Sequence, residues 1–158
     1  MSPHSTLVNL FQQAGRFPAA TALVESGGRA VTYSELWLGV LAYKQLLESK
    51  GVEEGDRVAI VLSNSAAYAM AYFGTLAARA VAVALNRDSK QHTLDSLIRH
   101  CGAKCVLTGD QPAPTHPSDF SLESFEAWLA PQERLAQILY TSGTTGDPKG
   151  VIDRKSVV

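Results

Sequence analysis

Cysteine is scarce in this sequence of 158 residues, with Cys101 and Cys105 as the full complement of 2. A single pair of thiols cannot supply the disulfide framework of a small secreted fold, so both read as reduced thiols of a cytoplasmic protein. The C-x-x-x-C spacing beside His100 could suggest a metal, but no third and fourth ligand stand in a recognisable pattern, and no metal is expected. Cys101 reads instead as the end of a helical face and Cys105 as the opening of a strand. An excess of one charge is lacking too: Lys plus Arg is 14 and Asp plus Glu is 15. That balance implies no basic face for nucleic acid, and any anion site must be local, built from backbone N–H groups and a few side chains. Met1 to His4 lacks the basic start and apolar continuation of a secretory signal. A membrane span needs about 20 predominantly apolar residues. The best stretch, Ala66 to Leu85, is interrupted by Gly74, Thr75 and Arg79, and reads as a buried helix followed by a buried strand. What is present is ordinary: hydrophobic residues make up 46%, enough for the core of one domain or one lobe of a larger one.

Helical and strand periods alternate along the chain. Leu7, Leu10, Phe11 and Ala14 mark one helix face, with Ser5 as N-cap and Gly15 as stop. "TALVE" and "RAVTY" flank Gly27-Gly28 and predict a hairpin. "TYSE" from Thr32 has the spacing of a capping box, and Leu36, Val40, Tyr43 and Leu47 continue as a buried stripe ending near Gly51. Val58 to Leu62 is continuously apolar, as in a strand covered on both faces. Ser63 to Ser65 offers caps for a helix through Ala78. "AVAVAL" (80–85) predicts the next strand, Leu94, Leu97, Ile98 and Cys101 another helix ending at Gly102, and "KCVL" a further strand. The Pro-rich stretch Gly109 to Ser118 reads as a surface loop, Leu122, Phe125 and Leu129 as a short helix, and "RLAQILY" as the last strand before a glycine loop. The repeated succession of strand and helix predicts an α/β fold with a largely parallel sheet flanked by helices.

That last strand feeds "YTSGTTGDPKG", Tyr140 to Gly150. Glycine lets a backbone approach a ligand closely, and successive N–H groups can converge on anionic oxygens. Ser142, Thr144 and Thr145 add hydroxyls, and Lys149 adds a positive charge. The Walker A pattern fails, because Pro148 stands five positions after Gly143 and Gly150 follows Lys149 where Ser or Thr is required. The G-x-G-x-x-G fingerprint fails as well, since Gly143-Thr144-Thr145 supplies no second glycine. Pro148 disfavours a helix starting in the loop, so a loop between two strands is expected. On composition alone, a solvated Ser/Gly linker with an incidental lysine explains the stretch equally well.

The ordered string "YTSGTTGDPKGV" closely resembles the signature of the acyl-adenylate-forming enzymes, which include acyl-CoA synthetases, adenylation domains of peptide synthetases, and luciferases. "VTYSEL", "GDRVAIVLSNS" and "GTLAARAVAVALN", ending at Asn86, resemble further family segments in the family's order. The resemblance extends over essentially all of residues 1–158 but only over the beginning of the family. It implies the N-terminal part of a longer AMP-binding enzyme, a portion of its larger lobe, with the catalytic lysine and the acyl pocket beyond this chain. The family often has Gly where Arg79 stands. A turn needing φ > 0 there would cost Arg79 on the order of 1–2 kcal/mol. "IDRKSVV" stands where the family commonly shows a Ser/Thr-His pair.

The resemblance implies an ATP-dependent ligase that activates a carboxylic acid as acyl-AMP, with Mg²⁺ sharing the phosphate charge and a thiol, coenzyme A or a carrier pantetheine, as acceptor. It assigns Thr141, Ser142, Gly143, Thr144, Thr145, Gly146 and Lys149 to the ATP phosphates and leaves Tyr140 packing at the strand end. Two readings follow. In one, the chain is the first part of such a ligase, inactive alone. In the other, it is a stand-alone nucleotide- or pyrophosphate-binding module, or half of a split protein that needs a partner chain. Either leaves strands half bare, so self-association or a partner is expected. The four histidines suggest no rival catalytic set, and His92 and His100 read as solvated positions on a helix. Glu53, Glu54 and Asp56 read as the solvated face of a turn, and Trp37 and Trp128 as packing.

Overall fold

The computed structural model describes residues 3–109, 137–141 and 149–153. Helix α1 (Pro3–Arg16) leads into strands β1 (Thr21–Val24) and β2 (Ala30–Thr32), an antiparallel hairpin. Gly28 in its turn takes φ 83°, a conformation that glycine adopts at little cost. Ser5 falls inside α1 rather than before it, because Pro3 suits the first helical turn, where its missing N–H costs nothing. Gly15 does not stop the helix: it lies within the last turn, and the ladder carries on to Phe17 N–H, which donates to the Gln13 carbonyl at 2.7 Å.

Helix α2 (Tyr33–Ser49) begins at the expected capping box. Glu35 N–H donates to Thr32 Oγ1 at 3.2 Å, and Thr32 N–H donates to Glu35 Oε2 at 2.8 Å. Two orphan donors of the first turn are thereby satisfied. Leu36, Val40, Tyr43 and Leu47 are all buried. Strand β3 (Arg57–Val61), helix α3 (Ala66–Ala77), strand β4 (Val81–Ala84), helix α4 (Gln91–Cys101) and strand β5 (Cys105–Thr108) follow, then β6 (Gln137–Thr141) and β7 (Lys149–Asp153). Cys101 closes α4 and Cys105 opens β5, both as free thiols.

The main sheet has the order β5-β3-β4-β6-β7. β3 pairs in parallel with β4 and β5, and β4 in parallel with β6. β7 pairs antiparallel with β6 at the edge. Side chains alternate across the sheet. Val58, Ile60, Ala82 and Leu107 join α1, α2 and α3 in one apolar cluster. Ala59, Val61, Val81, Val83 and Ile138 join α4 in another on the opposite face.

The alternation of faces follows from handedness. The crossover from β3 to β4 moves one way along the sheet, and the crossover from β4 back to β5 moves the other. Right-handed connections therefore put α3 and α4 on opposite faces. Helices α2 and α3 approach closely because Gly39 and Gly74 stand at their crossing. A Cβ on Gly74 would lie 2.5 Å from Tyr43 Cβ and 2.9 Å from the Val40 carbonyl oxygen, while one on Gly39 would collide with Met70.

The loop Gly109–Ser118 beyond Gly109, the helix expected around Leu122 to Leu129, and Trp128 lie outside the described residues. Trp37 is buried in the core, tilted against Phe11 at 5.3 Å between ring centroids. Among the described residues, no helix is long and apolar enough to cross a membrane.

Candidate functional site

Three parallel strands end at one edge of the sheet, and the residues that follow them line a cleft of about 480 Å³. Leu62, Ser63 and Asn64 follow β3, and Leu85, Asn86, Arg87 and Asp88 follow β4. Tyr140 of β6 supplies the third side. The outgoing chains of β3 and β4 diverge to opposite faces, so the cleft lies at the switch point of the sheet. Open α/β sheets bind ligands in that crevice, outside the carboxyl ends of their strands.

Local hydrogen bonds shape the two loops. Leu85 N–H donates to the Ile60 carbonyl at 3.0 Å and holds the end of β4 against β3. Asn86 Oδ1 accepts from Asp88 N–H at 3.0 Å, and Ser89 N–H donates to the Asn86 carbonyl at 3.1 Å. These bonds turn the chain sharply after Asn86 and leave Arg87 at the tip, exposed. The N-terminus of α3 opens at the same edge, but two of its donors are already engaged. Ser65 Oγ accepts from Tyr68 N–H at 3.3 Å, and Glu25 Oε1 accepts from Ala66 N–H at 2.9 Å. A carboxylate from the β1–β2 hairpin thus holds the place where an anionic ligand would otherwise be favoured.

Two of the phosphate-loop candidates, Thr141 and Lys149, fall among the described residues, next to Tyr140 of the cleft lining. Tyr140 pairs with Gly150, and Thr141 with Lys149, at the end of the β6–β7 pair from which residues 142–148 depart. The backbone therefore joins the first and last candidates, Thr141 and Lys149, directly across the ladder. Ser142, Gly143, Thr144, Thr145 and Gly146 lie outside the described residues. Strands flank this segment on both sides, β6 before it and β7 after it.

Tyr140 is half-buried at the strand end. Its hydroxyl lies 2.9 Å from His100 Nδ1, and the two rings meet edge to face at 5.8 Å. Burial pushes the Tyr140 phenol up from its ordinary value, with Cys101 adding to the rise and Arg57 opposing it. Burial likewise raises the phenol of Tyr68, another residue of the lining. Both phenols therefore stay neutral at physiological pH and offer a hydroxyl to the cleft rather than a charge.

His100 is exposed, as is His92, but it is more than a solvated helix position, because Tyr140 from a strand forty residues later reaches it. Helix periodicity could not reveal that partner. Glu53 and Glu54 are exposed on the turn before β3, where Asp56 accepts from Glu53 N–H at 2.9 Å. The expected positive φ at Arg79 is present, at 60°. Its carbonyl accepts from Gly55 N–H at 3.0 Å, and its guanidinium meets Glu54 at 3.4 Å. Among the described residues, no three His, Cys, Asp or Glu side chains converge as metal ligands. Sequence reasoning singled out the glycine loop but did not assemble Asn64, Asn86, Arg87, Tyr68 and Tyr140 into one cleft. The available signal was the turn after each continuous apolar strand.

Residues 10–154 match the family model described as AMP-binding enzyme. Among curated proteins, phenyloxazoline synthase MbtB of Mycobacterium sp. (strain MCS) is 34% identical over 152 residues, covering 89% of this chain and 13% of that protein. Bacitracin synthase 1 of Bacillus licheniformis is 31% identical over 151 residues, covering 89% of this chain and 3% of that protein. The chain thus spans a small part of the length of the curated relatives it matches. Among solved structures, the N-terminal domain of FACL13 from Mycobacterium tuberculosis superposes with a TM-score of 0.74 at 25% identity, covering 97% of this chain and 44% of that one. The N-terminal subdomain of Klebsiella oxytoca NpsA, in complex with 3-hydroxyanthranilyl-AMSN, has the same fold, with a TM-score of 0.74 at 24% identity over 92% of this chain and 39% of that one.

Proposed function

Because the chain belongs to the AMP-binding enzyme family, we propose that it grips the triphosphate of ATP while a carboxylic acid is activated as acyl-AMP. The observation that carries this reading is the pairing at the ends of β6 and β7. The strands bring Thr141 and Lys149 together beside the switch-point cleft, so the Ser/Thr/Gly segment between them starts and ends at the edge where a nucleotide is expected.

The chemical task is electrostatic. A carboxylate must attack an anionic α-phosphate, and pyrophosphate must leave with growing charge. Backbone N–H groups of Ser142 to Gly146, the hydroxyls of Thr141, Ser142, Thr144 and Thr145, and the Lys149 ammonium would hold the β- and γ-phosphates and oppose that charge. Glu25 already takes the Ala66 N–H at the start of α3, which favours the loop over that helix end as the anion site. Bound Mg²⁺ would share the neutralisation of phosphate charge. In the longer enzyme, coenzyme A or a carrier pantetheine would take the acyl group. The isolated chain would bind nucleotide weakly and not catalyse adenylation, since exposed donors compete with water for the phosphate.

Calorimetric titration of the chain with ATP and Mg²⁺ tests this reading. Binding in the millimolar range is expected, with Lys149→Ala about tenfold weaker, as for loss of one charge-assisted contact. A folded chain that releases no heat at millimolar ATP, or a Lys149→Ala variant with unchanged affinity, would refute it. An ATP–pyrophosphate exchange assay should show no turnover by the chain alone.

A further inference from the structure

The end of β6 is held unevenly. On one face Ile138 is buried in the α4 cluster, and Tyr140 packs beside it. On the other face Leu139 remains 42% exposed. β6 is also followed at once by the glycine loop, so any tilt of its last residues passes directly into Thr141. The side chain anchoring this end is Tyr140, whose hydroxyl reaches His100 at 2.9 Å and whose ring meets the imidazole edge to face. His100 itself sits in the last turn of α4, which Arg57 secures from the neighbouring strand by donating to the Cys101 carbonyl at 2.8 Å. The carboxyl end of β6 is thus fastened to the last turn of α4.

We infer that His100 is a positioning residue for the phosphate loop: by bonding the Tyr140 hydroxyl, it fixes the strand end from which the loop departs and so sets the loop's affinity for a triphosphate. The inference rests on the nucleotide reading above. His100 does not touch the phosphates. It acts through Tyr140, whose hydroxyl it meets at 2.9 Å. The imidazole accepts the hydroxyl proton, or donates when the hydroxyl turns; the geometry suits either tautomer.

A double-mutant cycle with His100→Ala and Tyr140→Phe tests the pair on the whole chain. The first readout is amide exchange at Tyr140 and Thr141 without nucleotide. Each single substitution should speed exchange about fivefold, the loss of one hydrogen bond, and the double variant should be no faster than either. The second readout is ATP affinity, which should fall by a similar factor in both single variants. His100→Asn, whose amide nitrogen can take the place of Nδ1, should restore both. Additive exchange effects, or no effect at Thr141, would overturn the proposal. So would coupled exchange with ATP affinity unchanged. Coupled exchange in a chain that binds no ATP would sustain the anchoring contact and overturn the nucleotide reading instead.

Discussion

The two faces of the parallel sheet are built differently. On one face α1, α2 and α3 share a cluster with Val58, Ile60 and Leu107, tightened where Gly39 and Gly74 let α2 and α3 approach. On the other, α4 meets a smaller set that includes Val81, Val83 and Ile138. The first face is closed at β3 and β4, where Val58, Ile60 and Ala82 are fully buried, but at β6 it leaves Leu139 open. The second face reaches further along the sheet, since Ile138 and Tyr140 of β6 lean toward α4. Stability is therefore concentrated on the three-helix face. The end of β6 is held from the α4 face.

Substitutions can break this division of labour. The largest effect is expected from Gly74→Leu, which forces a side chain against Tyr43 and the Val40 carbonyl. It should cost about 3 kcal/mol in denaturant unfolding, the upper end for overpacking, because one of the obstacles is backbone. Ile138→Ala should cost about 2 kcal/mol, since its site lies at the margin of the smaller cluster and can partly collapse. It should also speed amide exchange along β6 while α2 and α3 keep their protection. If Ile138→Ala proved the costlier of the two, the three-helix face would not be the stronger one. The smallest effect, and of opposite sign, belongs to Arg79→Gly. Relief of the left-handed backbone at φ 60° outweighs the loss of an exposed ion pair with Glu54 and the added freedom of glycine. A gain of up to about 1 kcal/mol should appear as a higher denaturant midpoint, and a lower midpoint would show that the Arg79 side chain contributes more than its backbone costs.

Features set by residues close together in the chain were legible from their spacing alone. The Thr32–Glu35 box, the burial of Leu36, Val40, Tyr43 and Leu47, and the αL Gly102 after Cys101 all depend on three- and four-residue intervals. The start of α1 was misplaced because Ser5 is a good cap only if nothing upstream is helical, and Pro3 suits a first turn equally well. Continuous apolarity at Val58 to Leu62 announced a strand covered on both faces, but not that β5 would insert on the far side of β3. That order is decided by the direction of each crossover. The residue types of the glycine-rich segment suggested an anion site. The cleft was not legible, because its walls come from Asn64, Asn86 and Tyr140, which only the sheet brings together. The bond between His100 and Tyr140 was hidden for the same reason.

Strand order also has a consequence for synthesis. β3, β4 and β5 pair among themselves, whereas β6 docks on β4 and brings Tyr140 to the cleft from much later in the chain. A ribosome adding roughly 5–20 residues per second releases the first two walls seconds before the third. During that interval the free edge of β4 is an unpaired parallel template. A nascent chain stalled before Tyr140 would hold a sheet without its binding cleft, and its open edge is where chaperones would be needed most.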